Sequence, residues 1–328
     1  MAMVVSAENV IVRVAPCDMA AQDAIFETLL KQTAWAPDRL QAIAATFLEK
    51  PYFLEPLGEG PEGDYSEEPL YRADQFDCVT YVDTVLALLY AKDLETFRQN
   101  MLHVRYTAGE PRYVCRTDWF TDLEWLPAVR AAGWIEDVTF TVQDCQGVPI
   151  AKLAETMIDK PNWYRVRPLK MLHRLPPVPE GNAAEQLLAT LQAESRHFAP
   201  IPSTLSYLPL DTLFDAERQP DTLLFDQIPS GAVVIIVRPD WPIRDVFPGF
   251  PEGYGTNLNV SHLGIVVRVS GELLFYHASS VPQKVTVEPL VHYLQNYIDS
   301  PTIKGIHVEQ LRQGPGMLAP PGLNCPAR

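Results

Sequence analysis

The sequence predicts an α+β fold in which an N-terminal helical half packs on a small antiparallel sheet or open barrel. Two patterns lead to this prediction: apolar residues recur at helical spacing early in the chain, and short apolar runs of strand length follow late. Helices first and strands afterwards are typical of an α+β domain. The 328 residues suffice for one large domain or two modest ones, and the 47% hydrophobic content fits a globular protein.

The first part of the chain, about 21–200, is expected to be helical. Apolar residues stand at helical spacing in 21–32, in 38–48 and again from Cys78 onward. A further helical patch at 183–195 lies within a proline-rich stretch.

The later part, about 225–310, is expected to form the sheet. A continuous apolar run predicts a buried strand, and Ser270-Gly271 predicts a two-residue turn between two more strands. Several short strands in succession favour a small antiparallel sheet or an open barrel. The five expected strands are 232–237, 262–269, 273–278, 284–287 and 305–308.

We interpret these two parts as a single domain over 21–312. An N-terminal extension, 1–20, precedes it, and a loose proline-rich tail, 313–328, follows it. Residues 1–14 lack the basic start and the long apolar stretch of a signal peptide.

The charge balance excludes several kinds of partner. With 26 basic and 41 acidic residues the net charge is −15, so the chain lacks the excess positive charge that attracts nucleic acid.

No apolar run approaches the roughly 20 residues that span a bilayer, which argues against membrane insertion. The five cysteines show no CxxC spacing, so a zinc finger or a thioredoxin-like motif is not indicated.

Cys78 is the candidate nucleophile because it stands where a loop becomes a helix. The free amides and the dipole of a helix start favour an anion, and the thiolate is the attacking form of cysteine. Asp77 can cap the helix, but its charge opposes the thiolate, so a base must do much of the activation. The alternative is that Cys78 merely faces the core together with Val82.

Two of the seven histidines, His262 and His277, are expected to meet on one face of the predicted hairpin. A two-residue turn places Val269 opposite Glu272, so paired positions sum to 541 and His262 falls opposite Ser279. His277 then lies diagonally across from His262, within reach of its ring. The two could serve as base and orienting partner for a thiol, or could bind zinc together with it.

A set of short motifs separated by long gaps is similar to one known family. In this order they resemble a bacterial family of N-acetylmuramoyl-L-alanine amidase-like proteins, in the NlpC clan of papain-like cysteine hydrolases, over about 42–308. The motifs are Pro51-Tyr52, 76–83 around Asp77-Cys78, Arg105-Tyr106, Ser261-His262 and His277-Ala278-Ser279-Ser280.

The resemblance implies a papain-like NlpC-type fold and a catalytic role for the domain over 21–312. Cys78 would attack a carbonyl, His262 would take the thiol proton and later protonate the leaving amine, and His277 would orient His262. The implied reaction hydrolyses the N-acetylmuramoyl-L-alanine amide bond of peptidoglycan fragments (muropeptides) through a thioester. It needs no metal and no organic cofactor.

Five further residues are predicted to bind substrate, and the sequence departs from the family near two of them. Around Arg116 the family tends to show His-Tyr after the arginine, whereas this chain has Thr-Asp-Trp. Before the histidines, Ser230-Gly231 stands where the family often carries Gly-Asp. The sequence does not decide whether the Cys78 amide or a tyrosine hydroxyl donates a hydrogen bond to the oxyanion. The predicted substrate-binding residues are Asp77, Tyr81, Arg116, Trp119 and Ser261.

Three alternative functions remain at this point: a stem-peptide endopeptidase, a non-catalytic muropeptide-binding module, and a zinc enzyme. Peptidoglycan chemistry predicts a periplasmic or exported protein, while a cytoplasmic recycling role would suit the absence of a visible signal peptide. The oligomeric state is not predicted.

Overall fold

The computed structural model describes residues 17–34, 38–165, 182–242 and 255–312. The predicted tail and most of the predicted N-terminal extension lie outside these ranges. The α-helices in them are α1 Met19–Thr33, α2 Arg39–Thr46, α3 Cys78–Leu89, α4 Leu94–Arg105, α5 Leu126–Ala131, α6 Lys160–Arg165, α7 Asn182–Glu194, α8 Leu210–Leu213, α9 Thr222–Gln227 and α10 Leu290–Gln295. The strands are β1 Ile135–Asp137, β2 Lys152–Ile158, β3 Ile201–Pro209, β4 Ala232–Pro242, β5 Asn257–Val269, β6 Glu272–Ser279, β7 Lys284–Pro289 and β8 Gly305–Leu311.

The strands form one eight-stranded sheet in the order β2-β3-β8-β4-β5-β6-β7, with β1 also paired to β8. Every strand pairing in it is antiparallel. The mixed α and β fold with an antiparallel sheet is therefore as the sequence predicts. Each of the five predicted strands and four predicted helices is present, with ends shifted by a few residues.

The central strand β4 is buried on both faces, which explains its unbroken apolar run. Its odd-numbered residues from Val233 to Val237 lie in a core cluster with α1 to α4. Its even-numbered residues from Ala232 to Ile236 lie in a second cluster with α8, α9 and α10. The sheet thus separates two apolar layers.

Strand β2 lies within the part of the chain that was expected to be helical. It pairs with β3 along its whole length. Its outward residues Leu153 and Met157 are apolar and 58% and 53% exposed, whereas the inward Thr156 is buried. Because Leu153 and Met157 face outward and Thr156 faces inward, the regular alternation that normally indicates a strand is interrupted, although Ala154 and Ile158 are buried.

Helix α3 begins at Cys78, the residue predicted to start it. Asp77 is the N-cap: its carboxylate accepts from the Thr80 amide at 2.8 Å, and the Thr80 hydroxyl accepts from the Asp77 amide at 3.0 Å. This reciprocal capping box satisfies two amides at the helix start and fixes where the helix begins. The position of the Cys78 side chain follows from that start.

A buried polar network ties α3 to the neighbouring chain. Asp83 accepts from the indole nitrogen of Trp125 at 2.7 Å and lies 3.5 Å from Arg105 of α4. Arg105 also reaches Asp118 at 3.3 Å. Asp83 and Arg105 are fully buried, and burial raises the pKa of Asp83 to about 7, so Arg105 and Trp125 offset only part of the cost of removing its charge from water. The helix that carries Cys78 is therefore firmly held.

Within the described ranges, no helix has the length and apolar character needed to cross a bilayer.

Candidate active site

The hairpin of β5 and β6 has the predicted register. Val269 pairs with Glu272, and the pairing continues to Ile265 opposite Tyr276, so the paired positions sum to 541 throughout. Ser270 in the turn has a positive φ of 52° and Gly271 one of 90°, as a two-residue hairpin turn requires. The register prediction is confirmed over these five pairs.

His262 and His277 lie together just beyond the last of these pairs. Nε2 of His262 is 2.8 Å from Nδ1 of His277, and the ring centroids are 5.0 Å apart. Ser279 pairs with Lys284 of β7, and the β5–β6 pairing does not extend to His262 opposite Ser279. A zinc ion held by both rings at these nitrogens would have to break the hydrogen bond between them.

The close approach of the two strands at this point depends on Gly264. A Cβ atom on Gly264 would lie 2.5 Å from the Phe275 ring, 2.6 Å from the Tyr276 carbonyl oxygen and 2.8 Å from the His277 Cβ. Any side chain at this position would therefore push His277 away from β5.

The thiol of Cys78 lies beside the strand that carries His262. The backbone amide of Leu263 hydrogen-bonds the sulfur, as do the amides of Val79 and Cys78 at the start of α3. Leu263 directly follows His262 in β5. The helix start therefore lies against the strand that carries His262, and the pairing of thiol and base stays a prediction.

Burial keeps the thiol and both imidazoles neutral at rest. Burial first, and the Asp77 charge second, raise the pKa of Cys78 to about 12, despite three amides that favour the thiolate. Burial lowers the pKa of His262 to about 4. Burial, and then the neighbouring His262, lower the pKa of His277 to about 2. A neutral thiol attacks a carbonyl only when a base takes its proton, and whether His262 is that base stays a prediction.

Two tyrosines border the thiol and the histidines. Tyr293 of α10 stacks on His262 at 6.0 Å between ring centroids and packs edge-on against His277 at 5.1 Å. Tyr52 forms a bridge to Phe76, just before Cys78. Burial raises the pKa of both tyrosines, so both hydroxyls keep their protons as potential donors.

The sequence did not single out these two tyrosines as site residues. Tyr52 stands in one of the motifs that carry the family resemblance, and that motif was the available signal for it. Tyr293 lies on a six-residue helix in a segment without any motif, so no sequence signal indicated it.

The sequence profile of the AmiA-like family, described as N-acetylmuramoyl-L-alanine amidase-like, matches residues 42–303, which include Cys78, His262 and His277. The chain belongs to this family. Membership indicates hydrolase activity on a peptidoglycan-related substrate. No curated protein matches the amidase-like chain.

Solved structures resemble the amidase-like chain over most of its length. A protein from Legionella pneumophila is 35% identical with a TM-score of 0.83, covering 90% of this chain and 96% of its own. An N-acetylmuramoyl-L-alanine amidase from Bacteroides uniformis is 22% identical with a TM-score of 0.54, covering 84% and 98%. A candidate xylanase from Bacteroides fragilis is 22% identical with a TM-score of 0.52, covering 82% and 99%. At 22% identity the last two structures show a shared fold, and their activities are not assigned to this chain.

Three of the five predicted substrate-binding residues of the amidase-like protein form hydrogen bonds with backbone groups of the same chain. Asp77 caps α3, and its other carboxylate oxygen accepts from the Glu55 amide at 3.0 Å. Tyr81 is buried and donates to the Ala44 carbonyl at 3.0 Å. Arg116 is buried and donates to the Leu57 carbonyl at 2.7 Å. Each has a structural role, and contact with substrate stays a prediction.

The other two predicted substrate-binding residues are partly exposed. Ser261 lies next to His262 in β5, and Trp119 packs on Trp163 at 4.9 Å between ring centroids. Their binding role also stays a prediction.

A second cluster of ionisable groups lies at β8, away from Cys78. Donor atoms of Asp137, His307 and Glu309 lie within 4.8 Å of one another, which is metal-ligand spacing. The guanidinium of Arg130 already hydrogen-bonds Glu309 and lies 3.2 Å from Nε2 of His307. Since a cation already fills this position, we interpret the cluster as a buried ion-pair network.

Acid is expected to destabilise the amidase-like protein through the paired histidines. The pKa of His262 is about 4 in the fold against 6.5 for the free ring, so unfolding takes up a proton between these values. Stability therefore falls as the pH drops from about 6.5 to about 4, by on the order of 3 kcal/mol for this ring. Denaturant unfolding across this window measures the slope, which should flatten in His262→Asn. An equal slope in both proteins would contradict the assignment.

Proposed function

We propose that the protein is a cysteine amidase that hydrolyses the N-acetylmuramoyl-L-alanine bond of muropeptides through a thioester. The observation that carries this proposal is that the Cys78 thiol, at the start of α3, lies by the amide of Leu263, the residue after His262, which is hydrogen-bonded to His277 in a chain of the amidase-like family. A papain-like fold of the NlpC clan is part of the proposal. Muropeptide binding without catalysis is less favoured, because thiol and imidazoles are all retained.

The first step forms the bond between sulfur and carbon. Nε2 of His262 is engaged by His277, which leaves Nδ1 as the nitrogen that can take the thiol proton. The Cys78 sulfur attacks the lactyl carbonyl carbon, and the carbonyl π electrons move to the oxygen. His277 holds the ring of His262 in place as the imidazolium forms.

The negative oxygen of the tetrahedral intermediate needs hydrogen-bond donors that are already in place. The Cys78 amide at the start of α3 is one, and the Tyr52 hydroxyl, which burial keeps protonated, is a second. Both belong to groups that lie around the sulfur. We assign the oxyanion to these two donors.

Collapse of the intermediate breaks the carbon–nitrogen bond. The alanine nitrogen leaves with the proton that His262 holds, and a thioester joins the lactyl group to Cys78. Water then attacks the thioester while His262 takes a proton from it, and the thiol leaves with that proton. The products are the free muramic-acid carboxylate and an intact stem peptide.

A digest of defined muropeptides tests the bond specificity. The purified protein is incubated with a disaccharide-tetrapeptide, and the products are weighed by mass spectrometry. Release of the whole tetrapeptide with a peptide-free disaccharide is the expected result. A disaccharide that keeps a shortened stem peptide would instead identify a stem-peptide endopeptidase. Binding of the muropeptide without any cleavage would identify a binding module.

We propose that the protein works in an oxidising compartment, such as the periplasm or the exterior. Cys115 is disulfide-bonded, and structural disulfides persist mainly outside the cytosol. Cys78 is a free thiol, as a nucleophile must be.

A further inference from the structure

We propose that Glu288 is a positioning residue that fixes the proton positions of both histidines, so that Nδ1 of His262 is bare and ready to accept the thiol proton. The proposal rests on the proposed function and adds a fourth member to the series that runs from Cys78 through His262 and His277.

The contact that carries the proposal lies on the far side of His277. Oε1 of Glu288 is 3.3 Å from Nε2 of His277, while Nδ1 of His277 is 2.8 Å from Nε2 of His262. Glu288 is on β7 opposite Phe275, so it lies diagonally across from His277 on the neighbouring strand. His277 is 1% exposed, whereas the Glu288 side chain is 29% exposed. A carboxylate at the edge of solvent thus touches a fully buried ring.

An ionised carboxylate can only accept hydrogen bonds, which decides the tautomer of His277. Nε2 of His277 must carry a proton to donate to Glu288, and a neutral ring then has a bare Nδ1. That bare nitrogen can only accept, so Nε2 of His262 must carry the proton between the two rings. Nδ1 of His262 is left without a proton, which is the state that a base needs.

The opposite arrangement is disfavoured by the same contact. If Nδ1 of His277 donated to His262, then Nε2 of His277 would turn a lone pair toward the Glu288 oxygen at 3.3 Å. His262 would then hold its only proton on Nδ1, and this nitrogen could not take another from the thiol. The low pKa of both rings supports neutral tautomers rather than a doubly protonated ring.

The other charged and titratable neighbours do not compete for the ring nitrogens. The second oxygen of Glu288 faces the 68% exposed His292 of α10 at 3.4 Å. Tyr293 lies against both catalytic rings through its aromatic face and edge, and its hydroxyl hydrogen-bonds Tyr297. Glu288 is therefore the group that sets the tautomer.

Nitrogen NMR of the labelled imidazoles, together with steady-state kinetics, tests the proposal. In the native protein, His262 and His277 should each show a protonated Nε2 and a bare Nδ1. Glu288→Leu, which removes the acceptor, should mix the tautomers and lower kcat by about 10- to 100-fold, with KM within about twofold. Glu288→Gln, which keeps one accepting oxygen, should recover part of the loss.

His292→Gln is the matched control, because it removes the exposed partner of Glu288 and leaves the ring contact in place. It should behave as the native protein in both measurements. Unchanged tautomers in Glu288→Leu, or a kcat within about twofold of native, would overturn the proposal.

The NMR measurement needs no substrate, which separates this proposal from the proposed function. Native tautomers that shift in Glu288→Leu would support the positioning role even if muropeptides proved to be poor substrates. Native rings with protonated Nδ1 on His262 would refute it even if the digest gave the expected products.

Discussion

Replacing Cys78 with alanine is expected to lower muropeptide hydrolysis by at least about 10⁴-fold, because it removes the sulfur that forms the thioester. The fold should survive, since the capping of α3 depends on Asp77 and Thr80 and not on the Cys78 side chain. Initial rates from product mass spectrometry, compared with thermal unfolding of both proteins, measure the two effects separately.

Cys145→Ser is the control for the loss of a thiol as such. Cys145 is a free and exposed cysteine, so this variant should keep native turnover. A rate of hydrolysis in Cys78→Ala above about a tenth of the native rate would show that Cys78 is not the nucleophile. If that residual activity were also abolished by a chelator, the zinc alternative would replace the thioester mechanism.

Gly264→Val is expected to disable the site by separating the strands that carry the two histidines. The first added carbon would already lie 2.5 to 2.8 Å from Phe275, Tyr276 and His277, so the strands must move apart. A displacement of about 1 Å in a catalytic group can cost about 100-fold in rate. Overpacking of this kind also costs about 1–3 kcal/mol of stability. Kinetics and denaturant unfolding measure the two losses.

Gly271→Ala is the matched control on the same hairpin. An added Cβ there would contact nothing within 4 Å, but φ is +90°, so the backbone would be strained. We expect Gly271→Ala to lose stability and keep its turnover. Equal losses of turnover in both variants would mean that Gly264 acts through hairpin stability alone.

Local features of the site could be predicted from the sequence. The start of α3 at Cys78 follows from Asp77 and Thr80, which are its immediate neighbours in the chain. The meeting of His262 with His277 follows from a two-residue turn and a hairpin register that holds up to Ile265 opposite Tyr276, just before the two histidines. In both cases the governing interactions join residues no more than 15 positions apart.

Features created by packing between distant elements could not be predicted in this way. Tyr293 reaches the histidines from α10 and carries no local signature. Glu288 is only 11 residues from His277, but no turn signal in the sequence sets the register between β6 and β7. Tyr81 and Arg116 stand near motif residues in the chain, yet the fold buries them against carbonyl oxygens. Burial depends on what packs around a residue, which spacing in the sequence does not specify.

The protonated state of the Cys78 thiol in the free protein also affects how fast that thiol is oxidised. Peroxide and related oxidants react with thiolates far faster than with thiols, and overoxidation to sulfinic acid is essentially irreversible. A sulfur whose pKa is about 12 presents almost no thiolate while it waits for a carbonyl. The burial that makes the nucleophile depend on its base therefore also protects it from chemical damage between turnovers.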